Sequence, residues 1–272
     1  MKKDFMKFAA ISLIAGSLLP SSLVKADSSN CVKKRVMLTA FEPWNGASQN
    51  GSEVVASRIL KEKLGGDDVN YTLCILPVEY DKASRRAEEC LERMNSKPDV
   101  VISMGEGGCN IEVEVRAHNL DDDSTPNNAG VIRRNHVIAP GSDSEEFLTL
   151  PVADMICASS AVVAPKTVPS LSPGYYVCNN TAFNIAEYLK PKQVPFGFIH
   201  VPPVNCKTDP EKTARKIHTM VRAAIRSLGE SSRFSQANPR LSAPSCASDP
   251  LPLVTTGCRD QVRREIDEVY TK

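Results

Sequence analysis

The stretch from Val69 to Gly105, "VNYTLCILPVEYDKASRRAEECLERMNSKPDVVISMG", carries the reading that decides the fold class. Residues 69–80 are rich in β-formers, residues 81–96 have the spacing of a helix with one charged face, and residues 99–105 form a largely apolar run. Just upstream, "RVMLTAF" (35–41) reads as another strand, and "NGSEVVASRILKEKLGG" (50–66) sets Val54, Val55, Ile59 and Leu60 near helical spacing with glycines at its end. The resulting βαβαβ order predicts an α/β fold: an open, mostly parallel twisted sheet with helices on both faces, in three layers α/β/α.

Beyond residue 105 the pattern loosens. "IEVEVRAHNLDDDSTPNNAG" (111–130) starts with strand-like alternation and dissolves into an acidic loop rich in Asn and Pro. "LPVADMICASS" suits a helix, "AVVAPKTVPSLSP" an extended Pro-broken segment, and "PGYYVCNNTAFNIAEYL" (173–189) a second helix. "PFGFIHVPP" (195–203) is a buried strand stopped by prolines, and "DPEKTARKIHTMVRAAIRSL" (209–228) an amphipathic helix. After it the composition turns to Ser and Pro, with Cys246 and Cys258 as staples, before a short charged helix, "RDQVRREIDEVY". The expected organisation is a signal peptide over 1–26, one α/β domain over 27–230, and a C-terminal extension over 231–272.

The signal reading rests on a lysine-rich start, an apolar stretch too short for the ~20 residues that span a bilayer, and small residues ending at Ala26. It implies a secreted or periplasmic protein with no stable membrane anchor after cleavage. Losing residues 1–26 removes four lysines and one aspartate and takes the formal charge from +1 to −2, which gives no footprint for nucleic acid. All nine cysteines lie beyond that segment, so export predicts disulfide bonds with at least one thiol left over. Spacing does not reveal the pairs, and the absence of C-x-x-C and H-E-x-x-H gives no pointer to a metal.

Cys178 falls at the start of the 173–189 helix, where unpaired backbone N–H groups and the helix dipole favour a thiolate. The same position suits a buried structural or disulfide-bonded cysteine. His200 stands near the C-terminal end of its strand, where open α/β sheets place ligands and catalytic groups, although a histidine in a buried strand is also an ordinary hydrogen-bonded core residue. Glu112 and Glu114 share one face of "IEVEV", and either carboxylate is able to fix the tautomer of a histidine or to pair a charge across a solvated face. "MGEGGCN" (104–110) is Gly-rich but lacks the Lys-Ser/Thr of a phosphate loop, so it suits close backbone approach to a small ligand. His118, His136 and His218 fall in a strand-like segment, a basic turn and the exposed side of a helix, and are not expected to be catalytic.

Taken in order, these segments resemble the pyroglutamyl peptidase I family, cysteine peptidases that remove an N-terminal pyroglutamate. "LTAFEPWNG" with "NGSEVV", "LPVEYDKA", "PDVVISMGEGG", "IEVEVRAHNLDDDSTPNNAG", "GYYVCNNTAFNIAEYL" and "FGFIHVP" each resemble a family motif, over about residues 35–228. The resemblance implies Cys178 as nucleophile, His200 as base and Glu114 as the acid that orients it, with Glu112 the weaker candidate. It also implies that Phe41 and Trp44 wall an apolar pocket, that backbone groups near Tyr176 and Val177 hold the lactam amide, and that no metal or organic cofactor is needed. Substrates would be peptides with blocked N-termini, and oligomerisation is a frequent property of the family. Glu106 stands where the family pattern has Gln, and Val115 where it has Arg, with Arg116 one residue later. An alternative therefore keeps the fold but makes the chain an exported non-catalytic binding protein, or a related amidase, with Glu106 altering the pocket.

Overall fold

The computed structural model describes residues 31–66, 68–162, 165–235 and 254–270. The expected signal peptide, Cys246 and the stretch 236–253 of the expected extension lie outside the described residues. The chain opens with β1 (Lys34–Phe41), α1 (Gly51–Lys61), β2 (Val69–Leu76), α2 (Lys82–Glu92) and β3 (Val100–Glu106), the alternation anticipated from the apolar runs. A middle region of short strands follows: β4 (Ile111–Glu114), β5 (Arg116–His118), β6 (Asp121–Asp123), β7 (Arg133–His136) and β8 (Glu145–Phe147). It gives way to α3 (Val152–Ser159), β9 (Thr167–Ser170), α4 (Val177–Leu189), β10 (Phe196–Val201), α5 (Pro210–Ser235) and α6 (Thr256–Tyr270).

The main sheet has six strands in the order β2-β1-β3-β10-β4-β9. All neighbours run parallel except β10 and β4. Its central strands carry Val36, Leu38, Val100, Ile102, Phe198 and Ile199, all fully buried, because a parallel strand is covered on both faces and reads as a continuous apolar run rather than an alternation. One apolar layer packs α1, α3, α5 and α6 on one face, around Ile59, Met155, Ile217 and Val262. The other packs α2 and α4, around Ala83, Ala87, Phe183 and Ile185. The α/β architecture follows: three layers, with the sheet between two sets of helices.

Local chemistry sets the element ends that matter for the site. Asn50 caps α1 by accepting from Ser52 N at 2.9 Å, satisfying one of the amides a helix start leaves unpaired. Tyr176 precedes α4 in an extended conformation and offers no side-chain cap, so the first amides of α4 are not occupied by their own flanking side chain.

Three disulfides join the described elements: Cys74–Cys90 ties β2 to α2, Cys109–Cys206 ties the loop after β3 to the turn after β10, and Cys157–Cys258 ties α3 to α6. Cys31 is disulfide-bonded as well. The residue-230 boundary expected from composition lies inside α5, which continues to Ser235. Beyond it α6 returns to the domain, with Val262 buried in the core and Arg259 Nε 2.5 Å from Asp154 Oδ1. No helix among the described residues is long and apolar enough to cross a membrane.

The middle region holds more order than its sequence suggested. The loop expected after "IEVEV" contains β5 and β6, and the basic turn around His136 is the strand β7. Arg133 joins β6 to the main body through Asp121 at 3.0 Å and Asp81 at 2.5 Å, and its guanidinium lies over the Tyr80 ring. Those partners are distant in sequence, which is why local pattern did not reveal the strands.

Candidate active site

Cys178 is the second residue of α4 and is half-buried at the C-terminal edge of the main sheet. Among the described residues it is the free cysteine. Its sulfur sits so close to β3 that a Cβ on Gly105 would lie 2.9 Å from Sγ, and another 2.9 Å from the Phe198 ring. Only glycine fits there, which explains a glycine at the end of an otherwise apolar strand.

His200 occupies the C-terminal end of β10, at the register position facing Gly105 of β3 on one side and Glu112 of β4 on the other. Its Nδ1 is 2.8 Å from Glu114 Oε1, and both residues are buried. The residue directly opposite is Glu112, yet the hydrogen bond goes to Glu114, the next residue on the same strand face; both side chains are within reach across an antiparallel pair. The second loop glycine, Gly107, is pressed on the ring, since a Cβ there would meet His200 Cβ at 2.8 Å. Phe198 packs edge-on at 5.0 Å. Burial lowers the pKa of His200, but the Cys178 sulfur and the hydrogen bond to Glu114 outweigh that and raise it to about 10. The ring therefore holds its proton at neutral pH, between a carboxylate and a sulfur.

Beside the sulfur lies an aromatic cluster. Phe41 ends β1 and is buried, with its N–H donating to Ser52 Oγ at 3.0 Å. Trp44 and Tyr176 stand 5.5 Å apart, and Tyr80 meets Tyr176 edge-on at 5.6 Å. Val177, the first residue of α4, is fully buried. The loop between β6 and β7 lies across the aromatic side chains: Tyr176 Oη donates to Pro126 O at 3.0 Å, and Asn128 Nδ2 donates to Glu42 Oε1 at 2.9 Å and Pro43 O at 3.0 Å. Burial pushes the Tyr176 hydroxyl up to about 12, so it remains a donor.

Glu106 meets the site differently from the sequence reading. Its Oε2 accepts from Gly51 N at 2.5 Å, so the carboxylate is engaged by the positive end of α1, a favourable place for an anion.

Several contributors were invisible in the sequence. Asn179 Oδ1 accepts from His118 N at 2.7 Å while its Nδ2 donates to His118 O and Leu120 O at 2.9 Å, anchoring α4 beside the sulfur. Asn180 binds Asp121 at 2.9 Å and the backbone of Asp81 at 3.0 Å. The pair follows Cys178 directly, so two consecutive polar residues on the first buried turn of a helix were the available signal. His218, expected on an exposed helix face, is half-buried with Nδ1 2.7 Å from Tyr71 Oη; burial first, then Arg222, lowers it to about 4. Glu112, Glu114 and His200 offer three ligand atoms within 4.8 Å of one another, but Glu114 and His200 already bind each other there.

A family model described as pyroglutamyl peptidase matches residues 34–228. The pyrrolidone-carboxylate peptidase of Gloeobacter violaceus is 32% identical over 193 residues, covering 69% of this chain and 92% of that protein. That of Erwinia tasmaniensis is 30% identical over 171 residues, 62% of this chain and 78% of its own length. Among solved structures, the pyrrolidone carboxyl peptidase of Thermococcus litoralis superposes with a TM-score of 0.64 at 26% identity, over 80% of this chain and all of that one. Pyroglutamyl peptidase I of Bacillus amyloliquefaciens shares the fold, with a TM-score of 0.62 at 22% identity over 71% of this chain and 98% of its own.

Proposed function

Because the chain belongs to the pyroglutamyl peptidase family, we propose that it is a cysteine exopeptidase that removes N-terminal pyroglutamate from peptides by acyl transfer through Cys178. The observation that carries this reading is the free Cys178 set against Gly105, the strand neighbour of a buried His200 whose Nδ1 is held by Glu114. The Cys178 sulfur, its proton already carried by His200, attacks the pyroglutamyl carbonyl; the C–S bond forms as the carbonyl electron pair moves onto oxygen. The oxyanion that develops faces the first amides of α4, whose positive end stabilises it. His200, already protonated, gives its proton to the leaving amine as the C–N bond breaks, and then takes one from the water that hydrolyses the thioester. Glu114 keeps the ring oriented through both transfers. Phe41, Trp44 and Tyr176 supply apolar surface for the lactam ring, and backbone groups at Tyr176 and Val177 its polar contacts. The reading of Glu106 as a charge that alters the pocket loses force because its carboxylate is engaged by Gly51. A non-catalytic binder gives no reason to keep Cys178 unpaired, and its free thiol speaks against that alternative.

The test is hydrolysis of a pyroglutamyl fluorogenic amide under mild reductant. Release of the fluorophore by wild type and none by Cys178→Ala is the expected result; equal rates in the two would overturn the assignment.

Export is part of the same reading. Its supports are the lysine-rich, then apolar, N-terminal segment and the number of disulfides in the described domain. N-terminal sequencing of the protein from the extracytoplasmic fraction should begin just after Ala26; an intact Met1 in the cytosol would refute it.

A further inference from the structure

A second nucleophile, histidine and acid lie together apart from Cys178, His200 and Glu114. Ser172 Oγ is 3.0 Å from His118 Nε2, and His118 Nδ1 is 3.6 Å from Glu145 Oε1. Nucleophile and acid thus stand at opposite nitrogens of one imidazole, and the carboxylate, too far for a direct hydrogen bond, favours through its charge the imidazolium that forms when the ring takes a proton from the other side. Strand pairing produces it: β5 and β8 set His118 against Glu145 and Arg116 against Phe147, which places all four on one face of a small sheet.

The histidine is held firmly. Tyr175 stacks on its ring at 4.9 Å, and Asn179 clamps its backbone. Arg116 donates to Glu145 Oε2 at 2.7 Å and to Leu171 O at 2.8 Å, fixing both the acid and the chain just before Ser172. His118 is 7% exposed, whereas Ser172 is open to solvent. Burial and the nearby Arg116 hold His118 below its ordinary value, against the pull of Glu145 and Glu114. The ring is neutral near pH 7 and able to act as a base.

We propose that Ser172, His118 and Glu145 form a second acyl-transfer site that accepts activated carboxylic esters, aryl esters in particular. The restriction to activated esters follows from position. Ser172 lies in a loop rather than at a helix start, so it lacks the dipole that α4 offers at Cys178, and the leaving group must depart easily. Phe147, 55% exposed, and Tyr175, 39% exposed, present apolar surface for an aryl group. In the first step Ser172 Oγ bonds to the acyl carbon while its proton passes to His118 Nε2. The C–O bond to the aryl group breaks and the departing aryloxide takes that proton. Water then attacks the acyl-serine with the same nitrogen as base, releasing the carboxylic acid and restoring the hydroxyl.

The experiment uses the full chain with Cys178 first alkylated by iodoacetamide, then treated with p-nitrophenyl acetate. The expected result is a rapid burst of about one equivalent of p-nitrophenolate, with the acetyl group mapped to Ser172 by peptide mass. In chains alkylated the same way, Ser172→Ala should abolish the burst, and Glu145→Gln should slow it at least ~tenfold with an unchanged melting curve. Absence of acetyl from Ser172 in the alkylated wild-type chain, whose fold is not in question, overturns the proposal; so does a burst that survives in Ser172→Ala.

Discussion

His200 and His118 each stand between a nucleophile and a glutamate, yet the protein drives them in opposite directions. His200 lies deep at the end of β10, with Glu114 at 2.8 Å and a sulfur as its second partner, and is raised to about 10. His118 has its glutamate at 3.6 Å, shares it with Arg116, and is lowered. Both rings are buried, so desolvation opposes the charge in each; the difference is made by the partners. A close, unshared carboxylate and an ionisable sulfur favour an imidazolium. A shared carboxylate beside a guanidinium favours a neutral ring. The first suits acid catalysis of amine departure and the second suits deprotonation of a hydroxyl.

The largest expected effect separates the two sites outright. Cys178→Ala should lower kcat/KM on a pyroglutamyl amide by at least ~10⁴-fold while acylation of Ser172 by p-nitrophenyl acetate continues; parallel loss of both would show a single site. Glu114→Gln should lower kcat by roughly 10²–10⁴-fold with little change in KM, because the acid orients the ring rather than binding substrate. A near-normal kcat would mean that Glu112 supplies the hydrogen bond instead.

The pH profile gives the next contrast. His200 is raised in the folded state, so its contribution to stability is complete below its ordinary value near 6.5 and is lost as pH rises through about 10. Peptidase kcat/KM should therefore hold through neutral pH and fall by up to ~tenfold per pH unit above about 10. A descending limb already complete near pH 7 would show that His200 acts as a neutral ring. The paired change Cys109→Ser with Cys206→Ser should lower kcat about tenfold, because this bridge joins the loop that presses Gly107 on His200 to the turn after β10. Acylation of Ser172 should be unaffected, as measured by mass spectrometry. The smallest effect belongs to Glu106→Gln. Replacing a charged acceptor with a neutral one at the start of α1 should cost on the order of 1 kcal/mol of stability, read as a lower Tm, with kcat/KM altered only a few-fold.

The sequence revealed these regions unequally, for physical reasons. β1, β3 and β10 are continuous apolar runs between helices of clear period, and the three-layer sheet followed from them. Local patterns marked a cysteine at a helix start, a histidine at a strand end and an alternating pair of glutamates as candidates, each with an ordinary structural reading beside it, and the ordered family motifs chose Cys178, His200 and Glu114 among them. The stretch from Ile111 to Phe147 was legible only at its beginning. Its strands are three or four residues long, and "DDD" and "RRNH" look like solvated loops until Arg133 is seen bound to Asp81, 52 residues away. The juxtaposition of Ser172 with His118 depends on a separation of 54 residues, and the disulfide partners on separations up to 101; no local period encodes either.

The bridge between Cys109 and Cys206 also decides what a single cut in the chain does to the molecule. Glu114, Cys178 and His200 all fall within the segment it closes, whose ends are 97 positions apart. A protease that cuts the exposed chain near Val131, Ile132 or Val137 would open this ring without detaching either part. The nicked protein would remain one covalent molecule carrying all three groups, so cleavage there converts a ring into two tethered arms instead of shedding a fragment.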